Sequence, residues 1–216
     1  MCGSEGASTR LHTLLRSLAH RGEMQMLYRF IALPSALLMM TFGMLGCEAM
    51  LAEDETEEGW SLYEAGNYED ALERFDEAIS LDPTYTDAYV AMGWTYGKMG
   101  ELAECISNFQ IALSQDAKNV DALAGISLAY LADDKYDEAI ASASKLLKID
   151  ADYSFEHGDV TSRNIHIVLA ESYCYTGDFA KAQSEVDILN PENALDPSSE
   201  DYVAKLFEEL ERASRG

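Results

Sequence analysis

The sequence predicts an all-α protein, a solenoid of about four helix pairs closed by a C-terminal capping helix. Two observations carry this. A pattern recurs at an offset of 34 residues: "GWSLYEAGNYEDALERF" from Gly59 and "GWTYGKMGELAECISNF" from Gly93 each open on Gly-Trp, carry glycine again seven residues on, and end in Phe. Within each copy, small and large apolar residues recur at three- and four-residue spacing, the period of one helix face. A fixed period of this length is the signature of stacked helical units, each burying its apolar face against its neighbours.

The chain has 216 residues and is 48% hydrophobic, which argues against global disorder. It carries 39 Asp+Glu against 15 Lys+Arg, a formal charge of −24. Residues 1–47 hold four Arg and two Glu, so the acidity belongs to the rest. So acidic a domain repels phosphate backbones and anionic lipid surfaces and favours neutral or basic partners. Nucleic acid is therefore excluded as a partner class. Solubility alone also accounts for the charge.

Residues 1–23 are Arg- and Leu-rich, which suits a transit peptide or a start codon assigned too early; the expected start is Met24 or Met26. Residues 24–46 then place Arg29 before an apolar run, Phe30 to Gly46, that ends at Cys47. This resembles a bacterial lipoprotein signal, with Met44-Leu45-Gly46-Cys47 as its lipid box; Met44 and the bulky Leu45 depart from the usual pattern. The resemblance implies lipidation at Cys47, a short tether over 47–52, and a periplasm-facing location in a bacterial cell envelope. Inner and outer membrane stay open. An uncleaved anchor is the alternative, since about 17 apolar residues just span a bilayer, and ordinary cleavage nearby is a third.

Four units follow over 53–194, at 52–85, 86–119, 120–153 and 163–194, with an insertion at 154–162. The turn inside each reads "GNYEDA" at 66–71, "GELAEC" at 100–105, "DKYDEA" at 134–139 and "GDFAKA" at 177–182. Gly66, Gly100 and Gly177 suit the left-handed position that ends a helix, with Asp134 in that place in the third unit. Asn67 and Asp178 are candidate caps of the following helix. The second helices repeat one face: Ala71, Phe75, Ala78; Cys105, Phe109, Ala112; Ala139, Ala143, Leu146; Ala182, Val186, Leu189. The first helices keep a small residue three before a large one, at Gly59-Leu62, Gly93-Tyr96, Ser127-Tyr130 and Ala170-Tyr173. Pro83 stops the second helix of the first unit. Over 198–213, Val203, Leu206, Phe207 and Leu210 form an inner stripe of the capping helix, with Ser198 and Asp201 as its capping box.

This pattern resembles the tetratricopeptide repeat over about residues 52–194. The first unit matches at Gly59, Ala71, Phe75, Ala78 and Pro83, and the second at Gly93, Tyr96, Phe109 and Ala112. The third keeps Tyr130 and Ala139, the fourth Leu169, Tyr173 and Ala182. The resemblance implies a right-handed solenoid whose first helices line a concave groove. The groove residues it implies are Trp60, Tyr63, Val90, Trp94, Leu128, Leu131, Ile167, Glu171 and Tyr175, with Glu53, Asp87 and Asp121 as an acidic rim. Packing against neighbouring helices is the other role open to the two Trp residues. Some tetratricopeptide domains clamp a chaperone's C-terminal carboxylate with Lys and Asn; Thr56, Trp60, Trp94 and Ala124 stand in those places here, so that function is disfavoured.

Catalytic and ligand motifs are sparse. Cys105 takes the small slot that Ala71 and Ala139 fill elsewhere, and Cys174 lies on another repeat. The insertion holds Glu156, His157 and Asp159, too few for a metal site without ligands from elsewhere; a surface loop or an extra helical turn is the plain alternative. His166 stands at a helix-packing position. No Gly-rich phosphate loop or nucleophile setting occurs. The expectation is a non-enzymatic scaffold without cofactors, binding a protein or peptide with basic residues, in an envelope assembly or trafficking complex. A self-associating scaffold is the alternative, and an enzyme or metal protein using the insertion is a more distant one.

Overall fold

The computed structural model describes residues 50–215. The expectations for Met24, Met26 and Cys47 fall outside them. Among the described residues are nine helices and no strand: α1 (50–64), α2 (Tyr68–Leu81), α3 (Thr86–Met99), α4 (Leu102–Gln115), α5 (Val120–Ala132), α6 (Tyr136–Ile149), α7 (Ser162–Thr176), α8 (Phe179–Leu189) and α9 (Tyr202–Ser214). None is long and apolar enough to cross a membrane.

The turn between paired helices is built alike in all four units. Gly66, Gly100 and Gly177 adopt φ of +80°, +81° and +82°, and Asp134 does the same at +57°. That left-handed residue lets the next amide reach back to a carbonyl of the preceding helix. Asn67, Glu101, Lys135 and Asp178 donate to Leu62, Tyr96, Tyr130 and Tyr173 at 2.8–2.9 Å, the bond that closes a helix C-terminus. The connection between units also repeats. Each second helix ends at Asp82, Asp116, Asp150 or Asn190, whose side chain accepts from the amide two residues on. Short Asx turns of this kind redirect the chain without a long loop. Asp178 caps α8 by accepting from the Lys181 amide, whereas Asn67 makes no side-chain cap bond.

Successive first helices touch one another, α3 against α5 and α5 against α7, and each second helix packs on the first helix of its own unit and of the next. Ala71, Phe75 and Ala78, Cys105, Phe109 and Ala112, and Ala139, Ala143 and Leu146 are all buried. Their regular spacing makes a continuous core beneath the first-helix layer. The helices approach closely at glycine. A Cβ on Gly59 would sit 2.3 Å from the Phe75 ring, and one on Gly125 would sit 2.1 Å from the Phe109 ring.

The capping helix corrects the sequence reading. It starts at Tyr202, with no side-chain cap from Asp201. Ser198 instead donates to Asp196 within the preceding turn, so the expected box does not form. The buried stripe is Tyr202, Leu206 and Leu210, while Val203 and Phe207 are exposed. The tyrosine sets this rotation: its ring goes inside and its hydroxyl donates to the Phe179 carbonyl at 3.1 Å. Cys105 and Cys174 are buried free thiols, both pushed up to about 11 by burial.

Candidate functional site on the inner face

The first helices bring Trp60 and Tyr63 on α1 and Val90 and Trp94 on α3 to one region. Trp60 meets Tyr63 edge to face at 5.2 Å, and Trp94 meets Phe109 in the same way at 5.6 Å. This floor does not stand open. The insertion between α6 and α7 lies across it, neither a plain surface loop nor an extra helical turn. The segment forms a tight hairpin: Phe155 N–H donates to the Val160 carbonyl at 2.8 Å, Ser162 N–H donates to Tyr153 at 2.7 Å, and Ser154 bridges Thr161.

Three alternate side chains of the hairpin each engage the helices. The Tyr153 hydroxyl donates to Asp121 at 2.8 Å. Phe155 stacks on Trp94 with centroids 4.3 Å apart and planes 21° apart. His157 stacks on Trp60 at 4.0 Å and 7°, and its Nδ1 donates to Glu64 at 2.8 Å. Ser154 is exposed on the other side of the hairpin, and Glu156, in the turn at 156–157, is exposed on the wall of a neighbouring acidic cleft. The consequence is burial. Trp94 keeps 8% of its surface exposed, Val90 and Tyr63 4% each, and Phe155 4%. Trp60 stays half-buried. The expectation that both indoles line an open groove is thus corrected for Trp94, which Phe155 covers, while Trp60 keeps part of its surface exposed beside His157.

The remaining predicted groove residues spread out. Leu128 joins Trp94 in lining an apolar cleft of about 260 Å³ between α3, α4 and α5, floored by Gly93, Gly97 and Gly125. Leu131 is half-buried against the main core. Ile167 is half-buried, and Glu171 accepts from Ser214 at 3.3 Å, burial holding its carboxyl above the usual range. Tyr175 is 59% exposed and belongs to a separate aromatic group, stacked on Tyr136 at 4.6 Å with Phe207 6.0 Å away.

The acidic rim converges. Glu53, Asp87 and Asp121, one per unit at the same repeat position, share a cleft of about 250 Å³ with Glu57 and Glu156. Its other walls are Thr56, Trp60, Tyr85, Val90, Phe155 and His157. No Lys or Arg lines it. Burial, and then the Asp116 charge, holds the Asp87 carboxyl above its ordinary value. For Asp121, burial raises the carboxyl and the Asp87 charge adds to it, against the Tyr153 hydroxyl that favours the ionised form. Burial and then the Asp87 charge push the Tyr85 phenol up to about 12. The field inside the cleft is therefore negative.

The sequence reading singles out neither Tyr153 nor Phe155, and it weighs Glu156 only as a metal ligand. The available signal was the aromatic alternation Tyr153-Phe155-His157. The insertion's His157 is committed to Trp60 and Glu64, and among the described residues no group of three ligating side chains gathers to hold a metal. His166, half-buried, pairs with Glu185 at 2.7 Å.

Residues 59–100 match a family model described as TPR repeat, and residues 90–154 match one described as tetratricopeptide repeat. A comparison with curated proteins finds no match. Among solved structures, MamA AMB-1 aligns with a TM-score of 0.57 and 19% identity over 76% of this chain and 85% of that one. MamA 41-end from Desulfovibrio magneticus RS-1 gives 0.53 and 18% over 76% and 78%. The Arabidopsis OM64 TPR domain gives 0.50 and 18% over 57% and 98%. At such identities the likeness speaks for the fold. Residues 59–154 therefore carry tetratricopeptide repeats, and the described chain has the fold of an all-α tetratricopeptide solenoid ended by a capping helix.

Proposed function

We propose that this protein is a scaffold that holds a basic segment of another protein on its inner face, beside the insertion. The observation that carries this is the cleft of five carboxylates from three successive units and the insertion, with aromatic and apolar walls, one histidine and no Lys or Arg. A Lys or Arg head entering there meets concentrated negative charge, and its stem lies along Trp60 and Val90. The carboxylates speed encounter and set salt dependence. The aromatic walls supply most of the affinity, because exposed ion pairs contribute only about 0–1 kcal/mol each. A photo-crosslinking side chain placed at Asp87 should give discrete adducts in cells, and one at the exposed Glu73 on α2 should not. Equal adducts at both positions, or none at Asp87, would remove the reading.

The same proposal includes the tether. A lipid on Cys47 would leave only a few residues between the membrane and α1, holding the solenoid at an envelope surface where it serves an assembly or trafficking complex. Labelled palmitate should enter the wild-type chain in a bacterial host and not Cys47→Ser; lipid in the variant would refute it.

A further inference from the structure

The insertion is already seated where a partner would go, and it describes that partner. We propose that the inner face is a receptor for an extended segment carrying aromatic rings at alternate positions followed by an imidazole or cation, and that the hairpin of residues 153–161 is its intramolecular occupant. The inference rests on the scaffold reading above and specifies the partner's chemistry.

Three receptor positions are defined by the contacts already given. Asp121 accepts a phenol from the first alternate residue. Trp94 presents a face to the second, and that face is buried under Phe155 rather than under another helix. Trp60 and Glu64 together hold a flat donor ring, stacked below and hydrogen-bonded at the edge. The three acceptors sit on α5, α3 and α1, one per unit, so the reader is the solenoid's own repeat. In the hairpin the chain runs from Tyr153 to Phe155 and turns at 156–157, and its three rings so reach successive units.

The occupant is also incompletely matched. The Trp94 indole N–H and the Tyr63 hydroxyl are buried without a hydrogen-bond partner among the described residues. A buried donor left unpaired is costly, and the hairpin supplies neither group with a partner. Against this, the insertion is covalently attached, and its effective concentration disfavours a competitor in trans. Wild type should therefore resist a free peptide, and a chain relieved of its hairpin should accept one.

The test uses the full chain with residues 153–160 replaced by a Gly/Ser linker of equal length, and a fluorescein-labelled peptide spanning residues 151–162. Anisotropy should show the peptide binding the replaced chain at least tenfold more tightly than wild type. A peptide with Phe155→Ala should lose most of that affinity. Should the replacement unfold by circular dichroism, Phe155→Ala in the intact chain takes its place, with the same ordering expected. Equal binding to open and wild-type chains, or no difference between the two peptides, overturns the proposal. The outcomes separate it from the scaffold reading. If Asp87 crosslinks a partner while the peptide ignores the open chain, only the aromatic code falls. If the peptide binds and Asp87 crosslinks nothing, the receptor stands without the basic partner.

Discussion

Phe109→Ala is expected to cost about 3–5 kcal/mol of stability, the range for removing a buried aromatic ring. Phe109 is 1% exposed and lies between two glycines of different units. A Cβ on Gly93 would come within 2.7 Å of its ring, and one on Gly125 within 2.1 Å. Removing the ring empties a slot that the helix backbones themselves enclose, so the surroundings have little side-chain length with which to refill it. The edge contact with Trp94 is lost as well. A domain's net stability is about 5–15 kcal/mol, so the variant should show a large drop in its urea midpoint. The reverse change tests the same geometry. Gly125→Ala should cost about 1–3 kcal/mol by overpacking, and adding Phe109→Leu should recover part of it, because neighbours in one slot are not additive. A Phe109→Ala midpoint within error of wild type would mean the ring does not wedge α3 and α5 together.

The repeat's core was legible because each position is written several times. Gly59 with Phe75 and Gly93 with Phe109 stand at the same spacing in two copies, and both pairs meet ring to backbone in the fold. The turn residues were legible for a backbone reason: a left-handed residue is needed at 66, 100, 134 and 177, and three of the four are glycine. Asp134 fills the fourth place because a short polar side chain tolerates that region. Where the sequence offers no second copy, the reading loses its phase. In α9 the stripes Val203-Leu206-Phe207-Leu210 and Tyr202-Leu206-Leu210 share two members, and pattern alone does not choose between them. The Tyr202 hydroxyl chooses, through a carbonyl 23 residues away.

The site shows the same limit more sharply. The acidic positions Glu53, Asp87 and Asp121 converge because the solenoid stacks equivalent residues. The same logic locates the aromatic floor but not what covers it. What covers Trp60 and Trp94 comes from outside the repeat, and its contacts span 93 residues in the case of His157 and Glu64. Tyr175 departs from the floor for a related reason. Its neighbours Tyr136 and Phe207 draw it to a separate cluster near the capping helix.

The hairpin's hold on the floor gives the second large effect. Phe155→Ala is expected to uncover Trp94 while leaving the helices in place. Phe155 stacks on the face of Trp94 and meets the edge of Trp60, and its ring is what keeps Trp94 at 8% exposure. Without it, the stack opens to water on one side, and the remaining attachments are Tyr153 to Asp121 and His157 to Glu64. Tyr153 stays buried at Asp121 and His157 stays stacked on Trp60, so neither ring covers the Trp94 face that Phe155 leaves. In a Trp60→Phe background, Trp94 is the only indole of the chain. Its acrylamide quenching should rise severalfold with Phe155→Ala, and its emission should shift to the red. Far-ultraviolet circular dichroism should change little, because the core beneath the first helices, Phe75, Phe109 and Leu146, is untouched. Unchanged quenching would show that helices, not the hairpin, shield Trp94, and the hairpin would then be a passenger on the surface. Loss of helix in step with quenching would show that the hairpin is part of the structural core. A rise in quenching on an intact solenoid is the result expected of an occupant that can leave its site.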